Sequence, residues 1–276
     1  VTILCTFPGR HGDILWALPT VRAISETFDQ PVDLALANNY DSLSTLISQQ
    51  SYIGTCFPVP TWHYNEDVEG SHRPSRIDGY ERIINLGRTG WPTGPLAQYT
   101  WETAQRLVPD QPIAPLDLDR PWIEIAANTH YADHVAVGWS QEHLELKMGI
   151  LAALVRRTYP NQTFYMLCPT FGGRWAEWDH NAEESSKLQF GYWDWLITAK
   201  ILAGSRVFLG CQSALWVLAN ALGKTCVIME PMEARWNPIF WCAHPRNHRV
   251  IGNDGKPTFD ARAVGDMLEE VLGGLA

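Results

Sequence analysis

VTILCTFPGRHGDILWALPTVRAI, residues 1–24, decides how the rest of the chain is read. Residues 1–7 are an apolar, β-branched run of the kind that fills a buried strand, and Pro8-Gly9 ends it. Helical character follows to about Phe28. A strand that passes into a helix through a short glycine-punctuated turn is the opening of a βαβ unit. Gly9 and Gly12 punctuate this turn, but GxGxxG is absent and no Gly-Lys-Ser/Thr follows. Neither a dinucleotide fingerprint nor a Walker loop is therefore present. Asp13 stands where a helix N-cap belongs. Pro19 complicates that reading, because a proline inside a helix cannot donate to the carbonyl of Leu15 and kinks the chain. A helix start near residues 18–19 would instead leave Asp13 on a projecting turn. Capping residue and catalytic carboxylate are both open readings of Asp13.

Outward from this stretch the same rhythm repeats. Strands are expected at 32–37, 53–59 and in the apolar run 80–86, with helices at 41–50 and 96–108. PDQPIAPLDLDRP, residues 109–121, then carries four prolines, which block a helix and discourage a central strand. It marks a candidate crossing between domains. A second series follows: strands at 134–138, 163–167, 206–209 and 225–229, helices at 143–159, 193–203, 213–222 and 260–272. Strands separated by helices imply parallel sheets covered on both faces. The expected architecture is α/β with two Rossmann-like domains, 1–120 and 121–276, whose parallel sheets face a central cleft.

Composition bounds the function. The chain has 276 residues, of which 46% are hydrophobic and 18% charged, with a formal net charge of −9. Thirteen tryptophans exclude a disordered chain, which would lack large aromatics. The acidic balance argues against nucleic acid as a partner, since that needs a basic face to displace counterions. Cys5, Cys56, Cys168, Cys211, Cys226 and Cys242 are scattered without CxxC or metal-ligand spacing, which suits a reducing, cytoplasmic setting. No membrane-spanning run or signal segment is visible.

Other motifs are weak. Asp117-Leu118-Asp119 has the form of a metal-binding DxD, but it lies within the proline-rich crossing and reads as linker. The histidines lack HExxH or other ligand spacing, so no metal site is expected. Residues 206–231 are more informative: strand, tight turn, helix, glycine stop and strand. Gly210, Ser213 and Ala214 are small enough to let a ligand approach the helix N-terminus, where amide N–H groups and the helix dipole suit a phosphate. The competing reading is a plain βαβ unit with Ser213 as N-cap.

Together the two stretches resemble glycosyltransferase family 9, the ADP-heptose:lipopolysaccharide heptosyltransferases. The likeness rests on Gly12-Asp13-Ile14-Leu15, Pro19 and Val21-Arg22-Ala23-Ile24. In the second half it rests on Ile201-Leu202-Ala203-Gly204-Ser205, Leu209-Gly210-Cys211-Gln212-Ser213-Ala214 and Leu218-Ala219-Asn220-Ala221-Leu222-Gly223. The chain departs from the family pattern where Gln212 replaces Asp, Ala214 replaces Gly and Val217 replaces His. The resemblance implies a GT-B fold and a metal-independent, inverting transfer. A heptose or related sugar would move from a nucleotide-sugar donor to a saccharide or glycolipid acceptor, as in lipopolysaccharide biosynthesis. Asp13 would be the general base, and Arg10, His11, Gly12 and Trp16 would meet the acceptor. Ser140, Lys147, Glu177, Gly210, Gln212, Ser213 and Ala214 would hold the donor. No cofactor is expected beyond that nucleotide-diphosphate sugar as co-substrate, and peripheral membrane association stays open. Trp139 and Trp175 are further cleft candidates, while Trp193, Trp195 and Trp216 suit a core. A non-catalytic nucleotide-sugar binder and a GT-B-like nucleotide-sugar epimerase are the alternatives.

Overall fold

The structure, a computed structural model, describes residues 1–7, 9–59, 79–87, 95–126, 131–138, 163–167, 188–191, 194–211, 213–229, 246–250 and 260–275. The chain separates into two compact units, one over Val1–Glu124 and another beginning at Ile125.

The first unit contains β1 (Ile3–Phe7), α1 (His11–Phe28), β2 (Val32–Ala37), a 3₁₀ segment (Asn38–Leu43), α2 (Ser44–Ile47), β3 (Ile53–Val59), β4 (Arg82–Asn85) and α3 (Leu96–Leu107). Its four strands pair in parallel in the order β3-β2-β1-β4. All five residues of β1 are buried, as a strand with a neighbour on each side and covered faces requires. The helix expected at 41–50 is instead the 3₁₀ segment followed by the single turn α2. Asn, Asp and Ser, which stand at 38, 41 and 42, favour turns over a regular helix because such side chains can compete for backbone hydrogen bonds.

α1 is one continuous helix from His11, and Pro19 lies inside it. Proline has no N–H to give to the carbonyl four residues back. The Trp122 indole Nε1–H donates to that Leu15 carbonyl at 3.0 Å, so the bond the proline removes is supplied from outside the helix. Residues 13–25 of α1 are all buried, which explains the absence of a clean polar face in its sequence. Against α3, the Thr20 and Thr100 hydroxyls lie 2.8 Å apart, and Ala97 beside them keeps that contact short.

The proline-rich stretch contains no helix or strand, as its prolines demand. It runs back along α1. The Ala114 N–H donates to Thr27 Oγ1 at 2.8 Å, and Arg22 donates to the carbonyls of Asp117 (2.6 Å) and Pro121 (2.9 Å) before Trp122 reaches Leu15. Tyr52 Oη then donates to the Trp122 carbonyl at 2.5 Å, and Gln50 Oε1 accepts from the Glu124 N–H at 2.8 Å. A segment that cannot join a sheet ladder is held by side chains instead. Asp117 accepts from the N–H groups of Asp119 and Arg120, a local turn consistent with the linker reading of the DxD. Among the described residues no group of His, Cys, Asp and Glu could hold a metal ion.

The second unit contains β5 (His134–Gly138), β6 (Thr163–Leu167), β7 (Leu188–Gly191), α4 (Trp195–Gly204), β8 (Ser205–Gly210), α5 (Ala214–Ala221), β9 (Thr225–Ile228), β10 (Asn247–Arg249) and α6 (Ala261–Gly274). Six parallel strands run in the order β10-β9-β8-β5-β6-β7. Val135, Val137, Val207, Leu209 and Val227 pack on Val264, Leu268 and Val271 of α6 in one apolar cluster. Asp194 caps α4 by accepting from the N–H groups of Leu196 and Ile197, so the helix starts two residues later than its tryptophans suggest. Gly223, at φ +74°, ends α5 in the left-handed conformation that favours glycine. The helix expected at 143–159 lies outside the described residues. β7 and β10 are additions to the expected strands, and both are sheet edges, where a single neighbour needs no long apolar run. Among the described residues no helix is long and apolar enough to cross a membrane. Cys5, Cys211 and Cys226 are buried, and burial pushes the Cys56 thiol up to about 12, which makes it a poor nucleophile.

These contacts can be tested by unfolding. Trp122→Phe strips the donor from Leu15 and should destabilise the first unit by about 1–3 kcal/mol in urea. Pro19→Ala should recover part of that loss in the Trp122→Phe background, because alanine restores the helical N–H. A second prediction concerns His134, which is fully buried at the start of β5 with its ring 4.6 Å from that of Tyr165. Burial lowers its pKa from 6.5 to about 4; Lys224 lowers it further, while the Tyr131 backbone and Asp133 oppose the shift. Between those values the unfolded chain binds the proton and the folded one does not, so stability is full above pH ~6.5 and falls toward pH ~4. Unfolding of wild type and His134→Leu at pH 7.5 and 5 should show a steeper acid loss in wild type. Equal pH slopes would contradict it.

Candidate active site

In a doubly wound parallel sheet, ligands gather at the carboxyl ends of strands where the strand order reverses. In the first unit β2 and β3 extend from one side of β1 while β4 lies on the other. The junction leaving β1 therefore sits at the switch point, and it runs through Gly9 and Arg10 into the first turn of α1, His11–Asp13. Gly9 is required by packing. A Cβ there would overlap the Phe7 ring and lie 2.6 Å from the Asp13 Cβ. Phe7 is 1% exposed and cannot retreat.

Arg10, extended and exposed, precedes the first turn of α1. Asp13 is the third helical residue, so it is neither the N-cap nor on a projecting turn. Its Oδ2 accepts from the Arg10 N–H at 3.3 Å, as the acidic residue of a capping box does. Its negative charge also suits the helix N-terminus. Capping does not exhaust it, since a carboxylate can accept roughly four hydrogen bonds through its two oxygens. At 8% exposure Asp13 is held and largely desolvated, the state a carboxylate base requires.

His11 and Gly12 are half-buried in the same turn. The ring of His11 meets Tyr40 edge-on at 4.7 Å, and its Nε2 is 3.1 Å from Ser42 Oγ. Burial lowers its pKa to about 4, so at neutral pH it carries no charge to offer an anionic acceptor. Arg10 keeps that capacity. Trp16 corrects the expectation of an acceptor contact: it is 3% exposed and packs on Trp122 with ring centroids 5.5 Å apart. Position 16 turns into the core, and a side chain so enclosed presents no stacking face. Arg22, part of the quoted motif, is also buried and serves the proline-rich segment rather than a ligand.

In the second unit β5, β6 and β7 extend one way and β8, β9 and β10 the other, which puts the switch point between β5 and β8. Gly138 and Gly210 are register partners at the carboxyl ends of those strands. A Cβ on Gly210 would overlap the Gly138 carbonyl oxygen, and one on Gly138 would lie 2.7 Å from the Phe208 ring. Ser213 is the N-cap of α5, its hydroxyl accepting from the Trp216 N–H at 3.3 Å. Ser213 and Ala214, at the N-terminus of α5 beyond the carboxyl end of β8, are half-buried. Val217 is 4% exposed within α5, an apolar position suited to valine. Trp195 and Trp216 are core residues. Ser140, Lys147, Glu177 and Gln212, with Trp139, Trp175 and Trp193, lie outside the described residues.

No family model matches this chain, and no curated protein matches its sequence. Solved structures do. The E. coli heptosyltransferase WaaC with ADP superposes with a TM-score of 0.69 at 11% identity, covering 98% of this chain and 100% of that one. The chain has the GT-B fold. A glycosyltransferase family 9 protein from Veillonella parvula DSM 2008 gives a TM-score of 0.67 at 9% identity, over 99% of this chain and 96% of that one. The likeness is weaker to the Neisseria meningitidis UDP-GlcNAc 2-epimerase bound to UDP-GlcNAc, with TM-score 0.53 and 8% identity over 99% and 92% of the two chains. The resemblance read from the motifs thus recurs in the backbone along nearly the whole chain.

The sequence reading singled out Arg10–Asp13, which the structure places at the β1–α1 junction, and Gly210, Ser213 and Ala214 between β8 and α5. It missed Tyr40 and Ser42, whose signal was an Asn- and Ser-rich turn directly after β2, at the same sheet edge. Gly9→Ala should lower stability by about 1–3 kcal/mol through overpacking. An unchanged unfolding free energy would contradict the packing argument.

Proposed function

We propose that this protein is a glycosyltransferase that moves a sugar, heptose or a related one, from a nucleotide-diphosphate donor to a saccharide or glycolipid acceptor. The observation that carries the reading is Asp13, held and largely desolvated in the first turn of α1 at the switch point of a parallel sheet. The motif likeness and the heptosyltransferase-like backbone support it.

The step needs no metal. An acceptor hydroxyl gives its proton to the Asp13 carboxylate as its oxygen attacks the donor's anomeric carbon. The new C–O bond forms on the face opposite the departing diphosphate, which leaves with the bonding electron pair, so the configuration inverts. The N-terminus of α5, with Gly210, Ser213 and Ala214, is the candidate for receiving the negative charge that develops on the diphosphate. Ser140, Lys147, Glu177 and Gln212 remain donor-side candidates, and Arg10 and Gly12 acceptor-side ones.

Asp13→Asn separates base from cap, because the asparagine oxygen can still accept from the Arg10 N–H. The variant should keep wild-type stability and wild-type thermal stabilisation by ADP, UDP or GDP, whichever binds. Its transfer rate should fall by at least about a hundredfold. Full activity would remove Asp13 as base. Stabilisation by a nucleotide without transfer by wild type would favour the non-catalytic binder, and release of an epimerised free sugar the epimerase. Transfer that survives exhaustive chelation would support metal independence.

A further inference from the structure

The contact between His11 and the loop after β2 has no part in the steps above. Three observations converge there. Nε2 of His11 lies 3.1 Å from Ser42 Oγ. The Tyr40 ring stands edge-on to the imidazole at 85° and 4.7 Å. Tyr40 also departs from helical geometry inside its 3₁₀ segment, at φ −120° and ψ 17°, and its ring meets the imidazole from that break. His11 is the first residue of α1 and Asp13 the third, so whatever fixes the His11 ring fixes the turn that carries the carboxylate.

We infer that His11 is a positioning residue: it braces the first turn of α1 against Tyr40 and Ser42 and thereby sets the orientation of Asp13. The inference rests on the glycosyltransferase reading for its consequence, not for its geometry. The electrostatics favour the neutral ring. A proton on His11 would add positive charge at the positive end of the α1 dipole, in a half-buried place. Burial is what lowers the His11 pKa. Ser44 Oγ donates to the Asp41 carbonyl at 2.6 Å, which stiffens the loop that His11 leans on.

The test is a double-mutant cycle of His11→Ala and Ser42→Ala with two readouts. In sugar transfer, each single variant should lower kcat about ten- to a hundredfold with acceptor KM little changed, and the double variant should be no worse than His11→Ala. His11→Gln, whose amide can reach Ser42, should recover part of the loss. In ¹³C-detected carboxyl titration, which needs no activity, both single variants should move the Asp13 midpoint in the same direction, and the double no further. An unmoved Asp13 titration overturns the positioning role. A rise in acceptor KM for His11→Ala, with Ser42→Ala like wild type, would make His11 an acceptor contact instead. If wild type transfers no sugar while the Asp13 titration still couples to both sites, the proposed function fails and the brace stands.

Discussion

One hydrogen bond organises the first unit. Pro19 breaks the backbone ladder in the middle of a buried helix, and a carbonyl left bare there costs roughly 1–3 kcal/mol. The Trp122 indole answers it from 107 residues away in sequence. That single requirement draws the proline-rich segment along α1, where Thr27, Arg22 and Leu15 receive it in turn. It also closes the unit, because Tyr52 and Gln50 hold the chain just past Trp122. Arg22, a motif residue with a charge, is thereby committed to two carbonyls. Trp16 becomes a wall for the indole rather than a platform for a sugar.

Both units place their candidate residues by the same device. A parallel sheet that reverses strand order leaves a crevice at its carboxyl edge, and the first loop on either side of the reversal is the natural place for a ligand. Glycine permits the close backbone approach there: Gly9 against Phe7 and Asp13, Gly210 against Gly138. Asp13 serves stability and chemistry with one carboxylate. It completes the helix N-terminus through Arg10 and, in the proposed reaction, receives a proton. Such double use explains why capping and catalysis could not be told apart from residue type.

What could be read in one dimension followed from how much each element buries. Strands with neighbours on both sides, such as β2 and β5, matched their apolar runs residue for residue. The edge strands β7 and β10 did not show, because Leu188–Gly191 and Asn247–Arg249 have too little to bury. Positions 41–50 read as one helix but fold as the end of a 3₁₀ segment and a single turn, since Asn, Asp and Ser side chains divert the backbone locally. Of the acceptor-side candidates, Arg10 and Gly12 lie at the switch point beside Asp13. His11 lies there too, but turned toward Tyr40 and Ser42, a contact no one-dimensional pattern encodes.

The sequence by itself determined the α/β alternation and most of its interior strands, the turns that must bear glycine, and the carboxylate at the first βα junction. These are local matters, set by side-chain periodicity, backbone sterics and short-range hydrogen bonding. Only the tertiary structure decided which tryptophans are core, that His11 turns toward Tyr40 and Ser42, and that the prolines form a fastened strap. Those depend on desolvation and on partners distant along the chain, and burial is a property of the neighbours rather than of the residue.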